Sequence, residues 1–157
     1  MCIRDRVSTQ ITIAAPIDKV WTAMTHHEGM VDWPDFYEVE ILKKGSPHPD
    51  GLGCVRRVKA KGLDVTEEIT KYNAPHEMSY LVSKINHPII HEGGTIKLTE
   101  TDNGTSVSWT SALKMKSKNP IIKYIGGKIL VSKGTKGFNK ALEWVKEDLE
   151  KTVRESL

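Results

Sequence analysis

Apolar and polar positions along this chain follow two periods, and the switch between them marks out the elements. Val7, Thr9, Ile11 and Ile13 alternate with Ser8, Gln10 and Thr12 up to Ala14, the period-2 signature of a half-buried strand. Pro16 ends that run and suits the first turn of a helix. Val20, Trp21 and Met24 form the apolar stripe of this helix, which reaches about His26. A short second helix is expected around His27 to Val31, closed by Trp33-Pro34. Tyr37, Val39 and Ile41 then alternate with Glu38, Glu40 and Leu42 in a second strand. Gly45-Ser46-Pro47-His48-Pro49-Asp50-Gly51 reads as a loop on turn chemistry alone.

The next stretch carries the most information. Cys54 to Ala60 and Leu63 to Tyr72 read as strands separated by Lys61-Gly62. A two-residue turn there pairs Ala60 with Leu63, Val58 with Val65, Arg56 with Glu67, and Cys54 with Ile69. One face of the hairpin is then apolar except for an Arg and a Glu directly opposite each other. Val55, Arg57, Lys59, Asp64, Thr66, Glu68 and Thr70 take the other face, which suits solvent. Asn73-Ala74-Pro75-His76 turns the chain into a strand from Met78 to Ile85, whose inward residue is either Tyr80 or Leu81. Asn86 to His91 reads as a loop containing Pro88. Thr95 to Thr101 and Thr105 to Met115 are strands joined through Asn103-Gly104, a strong hairpin signal. With those two residues as the turn, Leu98 pairs with Trp109 and Ile96 with Ser111. Asn119-Pro120 starts a last helix, with Asn as cap and Pro at the first position. Phe138, Leu142, Val145, Leu149 and Val153 keep its helical spacing, the Lys/Glu pattern around them reads as a solvated face, and Gly126-Gly127 and Gly134 are expected to bend its upstream part.

Composition narrows the function classes. A chain of 157 residues fits one domain and buries roughly 70% of its unfolded surface, enough for a core without disulfide or metal staples. A formal charge of +3 on 23 basic and 20 acidic residues gives a mixed surface, which does not favour nucleic acid. No apolar run approaches the roughly 20 residues of a transmembrane helix. Two cysteines, Cys2 and Cys54, and no apolar signal segment point to a cytoplasmic, reducing location. Met1-Cys2-Ile3-Arg4-Asp5-Arg6 fits no motif and reads as a non-native scar like translated adapter DNA, which leaves one domain over 7–155.

Several residues taken together carry a resemblance. They are Ala15-Pro16 before the helix with Val20-Trp21, Trp33 after the helix pair, and Gly51-Leu52-Gly53 leading into the strand with Arg56. Glu67, Gly104-Thr105 before Val107 and Trp109, and the long last helix with Ala141-Leu142 complete the set. The chain resembles the START-like (SRPBCC) superfamily, in particular its polyketide cyclase/dehydrase and lipid-transport group, from about Val7 to about Lys151. That resemblance implies an α+β helix-grip fold, also called Bet v 1-like: a curved antiparallel sheet of about seven strands around a long C-terminal helix, with two short helices after the first strand. It also implies an internal cavity for a hydrophobic small molecule such as a lipid, polyketide or quinone. Loops Gly45 to Gly53 and Asn86 to Gly94 would border its mouth.

On that reading Arg56 and Glu67 lie on the cavity wall, either as a polar anchor for a ligand or as an ion pair fixing the sheet. Trp33, Val58, Tyr80, Leu98, Trp109, Tyr124 and Phe138 are candidate ligand walls, and for Trp33, Tyr80, Trp109 and Tyr124 core packing is the simpler reading. A cyclase or dehydratase would use the same space, with Arg56 polarising a carbonyl and Glu67 or Tyr80 moving a proton. A Glu paired with Arg favours the anchor, and the catalytic residues stay unassigned. A third reading is a sensor whose loops close on ligand and present a surface to another protein. His26-His27-Glu28 and the pair His87 and His91 read as surface or loop histidines, because no zinc motif surrounds them and Pro88 interrupts the second pair. Gly51-Leu52-Gly53 lacks the third glycine of a dinucleotide site, so no cofactor is expected. Cys54 falls on the inward face as an inert thiol. Oligomeric state is open.

Overall fold

The computed structural model describes residues 5–157. Seven strands, β1 (Asp5–Ile13), β2 (Phe36–Lys43), β3 (Val55–Ala60), β4 (Leu63–Asn73), β5 (Glu77–Ile85), β6 (Ile89–Thr101) and β7 (Gly104–Met115), form one antiparallel sheet. Their order is β1-β7-β6-β5-β4-β3-β2. Helix α1 (Ile17–Thr25) and a 3-10 turn (His27–Asp32) separate β1 from β2, and α2 (Pro120–Glu155) ends the chain. This is the helix-grip arrangement expected from the sequence. Of the N-terminal stretch set aside above, residues 1–4 lie outside the described residues, and β1 starts two residues before the alternation does, with Asp5 opposite Leu113.

The sheet buries one face, and its period-2 patterning decides which. Val58, Val65, Ile69, Met78, Tyr80, Ile96, Leu98, Val107 and Trp109 point inward to meet Val20, Trp21 and Met24 of α1 and Ala141, Leu142 and Val145 of α2. Hairpin β3-β4 has the register that a Lys61-Gly62 turn dictates, Arg56 facing Glu67 and Val58 facing Val65. Gly62 supplies the positive φ of 73°. Tyr80 is buried while Leu81 is exposed, which fixes the face of β5.

Three local expectations are corrected. In hairpin β6-β7 Leu98 faces Val107 and Ile96 faces Trp109, so the turn centres on Asp102-Asn103. Gly104, with φ 132°, begins β7 instead, because it passes so close to Ile13 that a Cβ would strike its carbonyl oxygen. In β2 an irregularity between Phe36 and Glu38 turns Tyr37 out to solvent and leaves Phe36, Val39 and Ile41 against the core. The loop expected over Asn86 to His91 ends early, since β6 begins at Ile89.

Helix α2 runs unbroken for 36 residues, about 54 Å at 1.5 Å per residue. The Asn119 side chain caps it, accepting from the Ile121 amide at 2.9 Å. Its glycines do not interrupt it. Gly126 sits against Met115, Gly127 against Asp5 and Gly134 against Val7, so bare backbone is what approaches the sheet there. Further along, Lys146 Nζ donates to the Thr12 carbonyl at 2.9 Å and ties the helix to the end of β1.

Two glycines should respond oppositely to alanine. Gly104→Ala is expected to lose at least about 2 kcal/mol, from both the positive φ and the contact with Ile13. Gly137→Ala, in α2 with open space around it, should gain roughly 0.5–1 kcal/mol. Urea unfolding of the two variants beside the parent checks both signs.

Candidate functional site

The inward face of β3 and β4 carries the charges the hairpin register placed there. Arg56 Nε donates to Glu67 Oε1 at 2.8 Å and its Nη2 reaches the same oxygen at 2.7 Å. Arg56 is 3% exposed and Glu67 5%, so the pair lies out of water. A buried ion pair of this kind needs its remaining donors met, since each unmatched group costs about 1–3 kcal/mol.

The third guanidinium nitrogen, Nη1, donates to a residue expected at the surface. His27 is 0% exposed, and its Nδ1 accepts from Arg56 Nη1 at 2.5 Å. A guanidinium can only donate, so the imidazole proton sits on Nε2, which donates to the Asp50 carbonyl at 2.7 Å. Loop Gly45 to Gly53 is thereby linked to the buried pair through one ring. Burial, then the Arg56 charge, pushes the His27 pKa down to about 3, so the ring is neutral near pH 7. His26, its neighbour, points outward to Asp50 Oδ2 at 3.2 Å. The signal for His27 was its spacing: Val20, Met24 and His27 fall at i, i+4 and i+7.

A second polar group lies where β5 and β6 separate. These strands pair only from Glu77–Lys97 to Tyr80–Gly94. Beyond that point His91 fills the split: its Nδ1 accepts from the Val82 amide at 3.1 Å and its Nε2 donates to Ser111 Oγ at 2.7 Å. Desolvation lowers its pKa to about 4. The ring stacks on Tyr80 with centroids 5.5 Å apart. An irregularity between His91 and Gly93 breaks the alternation of β6, and no sequence signal announced it.

Tyr80 joins the two groups. Arg56 lies over its ring at 5.8 Å, and Trp109 Nε1 donates to its hydroxyl at 2.8 Å. Burial, followed by the Glu67 charge, raises its pKa well above the ordinary tyrosine value, so the hydroxyl keeps its proton. Gly94 faces Tyr80 across the ladder and makes room for it, because a Cβ there would run into the phenol ring.

Among the other candidate walls, Trp109 stacks on Phe138 at 3.8 Å and meets Trp33 edge-on at 6.0 Å, while Val58 and Leu98 are buried beside them. The Trp109–Phe138 stack lies between sheet and α2. Tyr124 does not join them: it is exposed on α2, with Lys128 Nζ 4.5 Å above its ring. Two surface hollows of about 340 and 490 Å³ lie away from Arg56, one lined by Ala15–Asp18 and Glu100, the other by Lys71, Glu77 and Lys97. Cys54 is buried, and burial pushes its thiol pKa up. His87 stays at the surface, bonded through Nε2 to the Gly62 carbonyl at 2.7 Å.

Two predictions follow from these contacts. Glu67→Ala strands a buried guanidinium and should cost about 3–5 kcal/mol, whereas Arg56→Met combined with Glu67→Leu should cost less than that single change. Chemical denaturation of the three proteins reads the difference. Both buried histidines have folded pKa values below the unfolded value, so the unfolded chain binds their protons first. Their stabilising contribution is full above about pH 6.5 and is lost as pH falls toward about 4 for His91 and about 3 for His27. Thermal midpoints between pH 6.5 and 4.5 should therefore fall, and His27→Gln should flatten the slope.

Comparison with known proteins agrees with this architecture. Residues 4–150 match the family described as polyketide cyclase / dehydrase and lipid transport. A search of curated protein sequences finds no match. Among solved structures, the Zhui aromatase/cyclase from Streptomyces sp. R1128 superposes with a TM-score of 0.82 at 20% identity, covering 98% of each chain. A START superfamily protein from Mycobacterium smegmatis gives 0.70 at 15% identity, covering 92% of this chain and 99% of that one. Ara h 8.0201 gives 0.65 at 18%, covering 91% and 98%. At these identities the neighbours speak for the fold, and the match over nearly the whole sequence speaks for the family: this chain belongs to the polyketide cyclase / dehydrase and lipid transport family.

Proposed function

We propose that this protein binds a small hydrophobic molecule (a lipid, polyketide or quinone) between the inner face of the sheet and α2, with Arg56 and Glu67 as its polar anchor. The observation that carries this reading is an ion pair, 3% and 5% exposed, on a face otherwise made of Val58, Tyr80, Leu98 and Trp109. Apolar walls give affinity at roughly 25 cal/mol per Å² of ligand surface removed from water. A few convergent polar groups then set orientation. The ligand would occupy the space now closed by Trp109 on Phe138, so Phe138 and the helix that carries it would have to move aside. The family's description, which includes lipid transport, supports the same reading.

A second reading is a cyclase or dehydratase acting in that space. It draws on Tyr80, whose hydroxyl keeps its proton and over whose ring the Arg56 guanidinium lies, two donor groups suited to polarising a carbonyl. Against it, His27 and His91 are held neutral and already bonded on both nitrogens, so neither is poised for proton transfer near pH 7.

Native mass spectrometry of the purified protein, followed by solvent extraction, tests the proposal. A hydrophobic molecule at near one-to-one stoichiometry, diminished in Arg56→Met/Glu67→Leu, is the expected result. Protein that stays empty against a library of lipids, quinones and aromatic polyketides would overturn it. A supplied polyketide recovered lighter by one water would instead establish the enzyme.

A further inference from the structure

From Lys114 to Lys140 the chain holds eight lysines and no acidic residue. That segment has a formal charge of +8 in a chain whose total is +3, which leaves −5 for everything else. The remainder of α2 does not share this character, since residues 141–157 hold five acidic and three basic side chains. Only two of the eight lysines meet carboxylates among the described residues: Lys114 with Glu92 at 3.9 Å and Lys140 with Asp35 at 3.0 Å. Lys116, Lys118, Lys128, Lys133 and Lys136 project into solvent.

The same half of α2 exposes its largest apolar side chains. Ile121, Ile122, Ile125 and Ile129 are each between 50% and 68% exposed. At 3.6 residues per turn they share an arc of about 100°. Gly127, Gly134, Ala141 and Val145, which face the protein, lie on the opposite side of the helix. Tyr124 flanks the stripe, its ring beneath the Lys128 ammonium. Ile90, also exposed, sits opposite Lys114 at the nearby end of β6.

We infer that the N-terminal half of α2 is a docking surface for an anionic lipid bilayer. The helix would lie in the plane of the interface, with the isoleucines in the headgroup-acyl boundary and the lysines reaching up to lipid phosphates and carboxylates. The charge is complementary, with each lysine near an anionic leaflet adding to the attraction. Every one of the eight cations is Lys and none is Arg, which suits a diffuse charged surface better than fixed bidentate pairing to a protein carboxylate. The aliphatic stripe asks for an apolar medium without directional bonds. Among the described residues no helix is long and apolar enough to cross a membrane, so this contact is peripheral. The inference stands apart from the interior ligand site, because none of Arg56, Glu67 and Trp109 lies on this surface.

Co-sedimentation with large unilamellar vesicles tests it, comparing phosphatidylcholine alone with a three-to-one mixture of phosphatidylcholine and phosphatidylserine, in low and in high salt. Partition should rise at least about tenfold on the anionic vesicles and fall again at high salt. Ile121→Gln/Ile125→Gln and Lys128→Gln/Lys133→Gln should each lower it at least about fivefold while leaving the melting temperature unchanged. Partition that is absent, or equal on the two vesicle types, overturns the inference. So does a dimer in light scattering that dissociates in the isoleucine variant, which would make a second copy the occupant. Binding to poly-glutamate as strong as binding to vesicles, and indifferent to the isoleucine changes, would assign the surface to an acidic protein instead.

Discussion

A guanidinium shut away from water has to be neutralised and have its donors met, and much of this molecule is arranged around that requirement. Arg56 sits on the inner face because the period of β3 puts it there, between Cys54 and Val58. Glu67 answers it because a two-residue turn at Lys61-Gly62 sets the register. The third nitrogen, Nη1, fixes the tautomer of His27, and His27 in turn holds the Asp50 carbonyl. One charge on a strand is thereby tied to a turn length, to a histidine of the 3-10 turn and to the seat of a loop. Apolar residues of similar volume in place of a buried ion pair are often no less stable. Under the proposed function, the charge is there to offer something polar to a guest.

Helix α2 divides its work along its length. Toward the C-terminus Ala141, Leu142 and Val145 enter the core and Lys146 ties the helix to β1, as in an ordinary amphipathic helix. Toward the N-terminus Gly126, Gly127 and Gly134 are what meets the sheet, and the bulky apolar side chains turn away from it. Small residues on the contact side let the backbone come close while contributing little buried area. Attachment to the rest of the protein is therefore concentrated in the C-terminal half. Phe138, the ring that closes the interior over Trp109, stands at the junction of the two halves.

The sequence made some of this plain and hid the rest for definite reasons. The hairpin β3-β4, with the Arg56–Glu67 pair, was legible because alternation and turn length leave a single register. In β6-β7 the Asn103-Gly104 signal misplaced the turn, and each pairing slipped by two residues. The inward face survived that slip, since a shift of two preserves parity. Tyr37 was misplaced because an irregular strand start does not show in alternation. His91 was hidden by a comparable irregularity, and His27 by reading the adjacent histidines as surface or loop residues although the spacing from Val20 pointed inward. Tyr124 looked like a wall residue until the glycines of α2 claimed the sheet-facing side. Period alone says which face is buried. It does not say which polar group will bridge two strands that part company.

Gly94 shows how an absent side chain can shape an interior. It faces Tyr80 on one neighbouring strand and Ser111 on the other, so the phenol lies over bare backbone between them. Any larger residue at position 94 would push that ring off the sheet and disturb its contacts with Trp109 and Arg56. The interior is thus shaped partly by a hydrogen atom three strands away from Arg56, and what stands at position 94 decides how closely that ring can settle onto the sheet.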